Sequence, residues 1–142
     1  MDRLEDVLRA GESSEDLVLL LRGGEDTRAK LLRQAALLEA RYTYGGWGAR
    51  GMSLFAASSA ADELVVLESK LRTYPKYRRV SAAALAEIAV LLATFQAPHW
   101  TVLFQPPGGA RRPEEELLND VLDILGPVLD NPRYVPDRAR RR

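Results

Sequence analysis

The run Leu17-Val18-Leu19-Leu20-Leu21 constrains the fold of this chain more than any other stretch. It follows the polar segment Gly11-Glu12-Ser13-Ser14-Glu15-Asp16 and ends at Arg22-Gly23-Gly24, so it has strand length and no polar face. A strand that is apolar on both sides must be covered on both sides, because either bare side would leave hydrocarbon in water. The run therefore predicts a buried strand in a sheet with other elements packed above and below it. The two glycines let the chain turn, and a helix opens at Asp26-Thr27 and continues to about Arg41. Leu31, Leu32, Ala35, Leu38 and Tyr42 share one face of that helix, which leaves Arg28, Lys30, Arg33 and Glu39 to water.

The other segments read in the same way. Residues 4–10 form a short helix ended by Gly11, and residues 52–57 form a second strand. Ser59 and Asp62 have the spacing of a capping box, and Ala60, Leu64, Leu67 and Leu71 make one stripe of the helix that follows, which Pro75 ends. Residues 77–80 read as a strand and residues 81–87 as a short helix. Residues 88–95 fit helix and strand equally well, since alanine and leucine favour one and Ile88, Val90 and Phe95 the other. Residues 99–105 alternate and are rich in strand formers. Pro113, the acidic first turn Glu114-Glu115-Glu116 and the stop at Gly126-Pro127 mark a last helix that buries Leu117, Leu118, Val121, Leu122 and Leu125. Residues 133–142, with five arginines, read as a basic flexible tail. The order predicts a single α+β (or α/β) domain over residues 1–132, with one mostly covered central sheet and flanking helices.

Twenty basic and twenty acidic side chains balance, so no global field draws the chain to nucleic acid or to a membrane. There is no cysteine, which excludes disulfides and thiol catalysis, and one histidine, His99, which argues against a metal site. The charged N-terminus and the lack of any apolar run near ~18 residues point to a soluble, cytoplasmic protein with no membrane partner.

Chemistry concentrates in the connection Arg41-Tyr42-Thr43-Tyr44-Gly45-Gly46-Trp47-Gly48-Ala49-Arg50-Gly51, which holds four glycines, three arginine-flanked rings and little else of a core. Glycine admits close backbone approach, and the planar arginine fork matches phosphate. With Arg22 beside Gly23-Gly24, these residues predict a phosphate-bearing ligand. The plainer reading makes the loop a turn whose rings cap the core and the arginines a solvated, ion-paired set. A second basic group, Lys70, Arg72, Lys76, Arg78 and Arg79 around Tyr74 and Tyr77, has the composition of an RNA-backbone contact, or simply of a helix end. His99 reads first as a strand residue bonded to backbone.

The succession Leu20-Leu21-Arg22-Gly23-Gly24, then Gly51-Met52-Ser53-Leu54-Phe55-Ala56-Ala57, then Leu71-Arg72-Thr73-Tyr74, and then residues 93–103 resembles a group of small actinobacterial proteins. The first two blocks are also similar to the Arg and Ser blocks of ADP-ribosyltransferase-like toxins and their NAD-degrading relatives. That resemblance implies an NAD cofactor, no metal, and a toxin of a toxin-antitoxin or phage-defence system. It implies a dinucleotide-holding role for Arg22 with Gly23, a supporting role for Ser53, and stacking on nicotinamide by Tyr44 or Trp47. It also asks for a catalytic glutamate; Glu87 and Glu115 follow Ser53 in the chain, but neither stands in the family's Glu-x-Glu or Gln-x-Glu setting. Two other functions stand beside this one. One is a non-enzymatic module, such as an antitoxin, immunity protein or phage inhibitor, that binds an acidic protein partner. The other is a metal-independent ribonuclease toxin using Lys70, Arg72, Lys76, Arg78 and His99.

Overall fold

The computed structural model describes residues 1–24, 27–109 and 111–136. The expected helix start at Asp26 and residues 137–142 of the expected tail lie outside the described residues. In chain order the elements are β1 (Asp2–Arg3), β2 (Val18–Arg22), α1 (Thr27–Arg41), β3 (Tyr42–Tyr44), β4 (Trp47–Gly48), β5 (Gly51–Ala57), α2 (Ala60–Lys70) and β6 (Lys76–Ser81), then α3 (Ala82–Ala86), β7 (Val90–Ala93), β8 (His99–Leu103), α4 (Glu114–Ile124) and β9 (Leu129–Asp130). Six strands form one sheet in the order β7-β8-β5-β2-β6-β9, and every adjacent pair is antiparallel. The antiparallel pairing makes this a single mixed α+β domain rather than an α/β one.

The apolar run behaves as its composition demands. As β2 it lies between β5 and β6, with Leu19 and Leu20 fully buried and Leu21 nearly so. Leu19 and Leu21 pack with Leu31 and Ala35 of α1, Leu85 of α3, and Leu117, Leu118 and Val121 of α4. Leu20 points to the other face and meets Val66 and Leu67 of α2 with Leu71 and Tyr77. Each such leucine contributes about 2 kcal/mol of burial, so both faces of the sheet hold its centre in place. Ser59 caps α2 as expected, its hydroxyl accepting from the Asp62 N–H at 3.0 Å. The return bond falls one residue earlier than a capping box would have it, from the Ser58 N–H to the Asp62 carboxylate at 2.8 Å.

Five local readings change. The expected helix at residues 4–10 is a single 3-10 turn, Leu4–Val7. The backbone there is used elsewhere, because the Val7 carbonyl accepts from the N–H of Phe95, just past β7, and the Arg9 N–H donates to the carbonyl of Ala93, at the end of β7. Within residues 88–95 the strand is Val90–Ala93, since β8 offers pairing partners from Val90↔Leu103 to Ala93↔Trp100. The glycine-rich connection is a hairpin of β3 and β4, with Gly45 and Gly46 at φ +59° and +84°, as a two-residue turn of the primed kind needs. It joins β1 in a second sheet of order β1-β3-β4. β9, which has no sequence signal of its own, pairs with Lys76 and Tyr77 at the edge of the large sheet. The start of the expected tail is tied down through Val135, whose N–H donates to the Arg72 carbonyl at 2.6 Å, while Asn131 Nδ2 donates to the carbonyls of Leu71 and Tyr74. Among the described residues, no helix is long and apolar enough to cross a membrane.

Candidate functional site

β2 and β5 pair from Val18↔Ala57 to Leu20↔Phe55 and then part. Past that point β2 stays with β6, the Gly23 N–H donating to the Lys76 carbonyl at 2.9 Å. On β5 the Ser53 N–H donates to Gln34 Oε1 of α1 at 2.9 Å. A helix side chain thus satisfies a backbone group at the parting, and α1 lodges in the gap. Leu31 and Ala35 sink into the core on one side of the sheet, while Leu38 and Tyr42 reach the cluster of Leu4, Ala49 and Leu103 on the other.

The parting leaves a hollow of about 420 Å³, within the size range of small-molecule sites. Arg22 from β2, Ser53 and Gly51 from β5, Gln34, Leu37, Leu38 and Arg41 from α1, and the rings of Tyr42 and Phe95 line it. Arg22 and Ser53, singled out in the sequence, are brought together here. The Arg22 guanidinium donates to the Tyr74 hydroxyl at 3.1 Å and lies 5.3 Å from the centre of that ring, so Tyr74 orients the fork. Among the described residues neither Arg22 nor Arg41 has an ion-pair partner, and no carboxylate lines the hollow.

The expected stacking rings are elsewhere. Trp47 is 77% exposed and borders a different hollow, of about 610 Å³, with Phe104, Gln105, Pro106, Arg111 and Arg112. Tyr44 packs against the Leu4 cluster. Their place is taken by Tyr42 and Phe95, which meet edge to face at 5.5 Å and 72°. Tyr42 carried a helical-core signal and Phe95 lay in the ambiguous segment, so neither announced itself as a ligand contact. Glu87, at the end of α3, and Glu115, in the first turn of α4, are both exposed and line no part of this hollow.

The basic group after α2 does not form one surface. Lys76 pairs with Asp130, and Arg79 with Glu63 at 2.8 Å. Arg78, on the opposite face of β6 from Arg79, donates to the Gly126 carbonyl at 2.7 Å and to Thr27 Oγ1 at 3.1 Å. Lys70 and Arg72 line a separate hollow of about 430 Å³ with Ser69 and Thr73. Arg50 closes the hairpin onto α4 through a bidentate pair with Glu114 at 2.6 and 3.0 Å and a further bond to Glu39.

His99 is half-buried between the rings of Phe55 and Phe95, at 5.4 and 5.1 Å, with Nδ1 on Thr94 Oγ1 at 2.9 Å. Burial, and next the nearby Arg9 guanidinium, push its pKa down to about 4, so the ring is neutral at pH 7. Because the folded pKa lies below the unfolded value of about 6.5, the unfolded chain takes up the proton first as the pH falls. Stability is therefore expected to drop between about pH 6.5 and pH 4, by up to about 3 kcal/mol from this group, with no further loss from it below that window. Urea unfolding at pH 7, 5.5 and 4, on the protein and on His99→Gln, checks this. An unchanged pH slope in the variant would remove His99 as the cause.

The chain matches no protein-family model, no curated protein and no solved structure.

Proposed function

We propose that the hollow between β2 and β5 binds a phosphate-bearing ligand, with NAD or a related dinucleotide as its ligand. Arg22 and Arg41 take the phosphates, Ser53 offers a hydroxyl at the floor, and Tyr42 and Phe95 face a ring. One observation carries this reading: Arg22 and Ser53, from separate strands, line one hollow whose described lining has two arginines and no carboxylate. An arginine fork held by Tyr74 is pre-shaped for a bidentate phosphate contact. The lining supplies binding. An ADP-ribosyltransferase-like or other NAD-consuming step, as in a toxin or phage-defence protein, also calls for a carboxylate beside the anomeric carbon. Neither Glu87 nor Glu115 lines the hollow, so that carboxylate would have to come from outside its described lining.

Calorimetric titration with NAD, ADP-ribose and AMP, alongside an assay for released nicotinamide, tests the proposal. Saturable binding of NAD with a Kd below about 1 mM is expected, which corresponds to at least about 4 kcal/mol of binding free energy. Lack of saturation by all three ligands would sink it, and nicotinamide release would add catalysis to binding. A second reading, a protein-binding module, is favoured by Leu37, which is 65% exposed on the rim beside Arg41 and would suit an acidic partner with an apolar anchor.

A further inference from the structure

The hollow of Arg22 and Ser53 does not end at Arg22. A second hollow, of about 250 Å³, shares Arg22, Gln34 and Leu37 with it and continues to Gly23, Lys30, Arg33 and Tyr74. The two are one track along α1. Lys30, Arg33, Leu37 and Arg41 recur at steps of three, four and four, which places them on one helix face. At 1.5 Å per residue, the stretch from Lys30 to Arg41 covers about 16 Å. Acids and bases balance over the whole chain, yet the described lining of both hollows holds four cations and no carboxylate. Among the described residues, Arg22, Lys30, Arg33 and Arg41 form no ion pair, whereas Arg9, Arg50, Lys76, Arg79 and Arg112 each do.

The far end of the track is built at a cost. Phe95 has φ +57°, a left-handed conformation that costs a bulky residue about 1–2 kcal/mol. Its segment is held by Arg9, whose guanidinium donates to the carbonyls of Thr94, Phe95 and His99, and by the Phe95 N–H on the Val7 carbonyl. The strained residue is the one that puts a ring at the end of the hollow beside Tyr42.

A ring corner followed by cations spaced along a groove is what an unpaired nucleotide strand needs: a face for a base, then charge for successive phosphates. A single phosphate would use one hollow, whereas a strand of successive phosphates would use both. We infer that the track takes a single-stranded nucleic-acid segment of two or more nucleotides, with a base at Phe95 and Tyr42 and phosphates passing Arg41 and Arg22 toward Arg33 and Lys30. This rests on the phosphate-binding reading above and extends it to a longer ligand.

Fluorescence anisotropy with labelled single-stranded oligonucleotides of one to six nucleotides tests the inference, with AMP and poly-glutamate as competitors. Affinity is expected to rise about tenfold or more between one and three nucleotides, and to fall about tenfold between 50 and 200 mM salt. A Lys30→Ala/Arg33→Ala double variant is expected to abolish the gain with length. If AMP or NAD binds and longer strands bind no tighter, the inference falls while the phosphate-binding reading stands. If no nucleotide of any length binds, both fall. A length gain that survives in the double variant, or competition by poly-glutamate as strong as by nucleic acid, also overturns the inference; the latter result would give the track to an acidic protein.

Discussion

Gly51→Ala is expected to cost about 3 kcal/mol of stability and to lower the melting temperature by roughly 10 °C. Gly51 opens β5 opposite Leu103 of β8. A Cβ at this position would sit 2.1 Å from the Val102 carbonyl oxygen and 2.9 Å from its carbon. Those are backbone atoms in the middle of a paired strand and cannot swing aside as a side chain can. Relief requires β5 and β8 to separate, and that pairing extends from Gly51↔Leu103 to Phe55↔His99. The same substitution at Gly45 is the control. That residue has φ +59° and nothing within 4 Å of an added Cβ, so alanine there costs only the strain of a left-handed residue, about 1 kcal/mol. Thermal and urea unfolding of the two variants side by side distinguishes a packing clash from a conformational preference. Equal losses would show that β5 and β8 yield freely.

Arg22→Ala is expected to weaken binding of NAD or any phosphate ligand of the hollow by about 10- to 100-fold while changing stability by less than about 1 kcal/mol. The asymmetry follows from where the residue stands. Its side chain is exposed at the end of β2, where its hydrogen bond and its ring contact are both to Tyr74, so little packing is lost when it is truncated. A charged, bidentate contact to phosphate contributes about 2–3 kcal/mol, which sets the scale of the affinity loss. Arg22→Lys keeps the charge but gives up the fork and its stacking on Tyr74, and most of the loss is expected to remain. Calorimetry on the three proteins, with circular dichroism to verify the fold, decides the matter. Undiminished binding in Arg22→Ala would move the anion site out of this hollow.

Ser59 announced the start of α2 because its cap bond spans three residues, and Pro113 with Glu114-Glu115-Glu116 announced α4 because its first turn is local. β9 and the docked segment through Val135 gave no such sign, since their bonds reach back more than fifty positions to Tyr77 and Arg72. The basic run after α2 looked like one surface on paper. Strand alternation and separate acidic partners, Glu63 and Asp130, divided it.

The apolar run at residues 17–21 by itself determined that this chain builds a sheet covered on both faces, and the periodicity of residues 27–41 and 114–124 marked two of the helices that cover the Leu19 and Leu21 face. Those outcomes follow from hydrophobic pattern, which is set by neighbours along the chain. Only the tertiary structure decided that β2 and β5 part after Leu20, that Gln34 fills the vacated bond to Ser53, and that Tyr42 and Phe95 rather than Tyr44 and Trp47 face the hollow. The reason is that a gap in a sheet is a property of strand pairing and helix placement together, and no residue within reach of a local pattern records either.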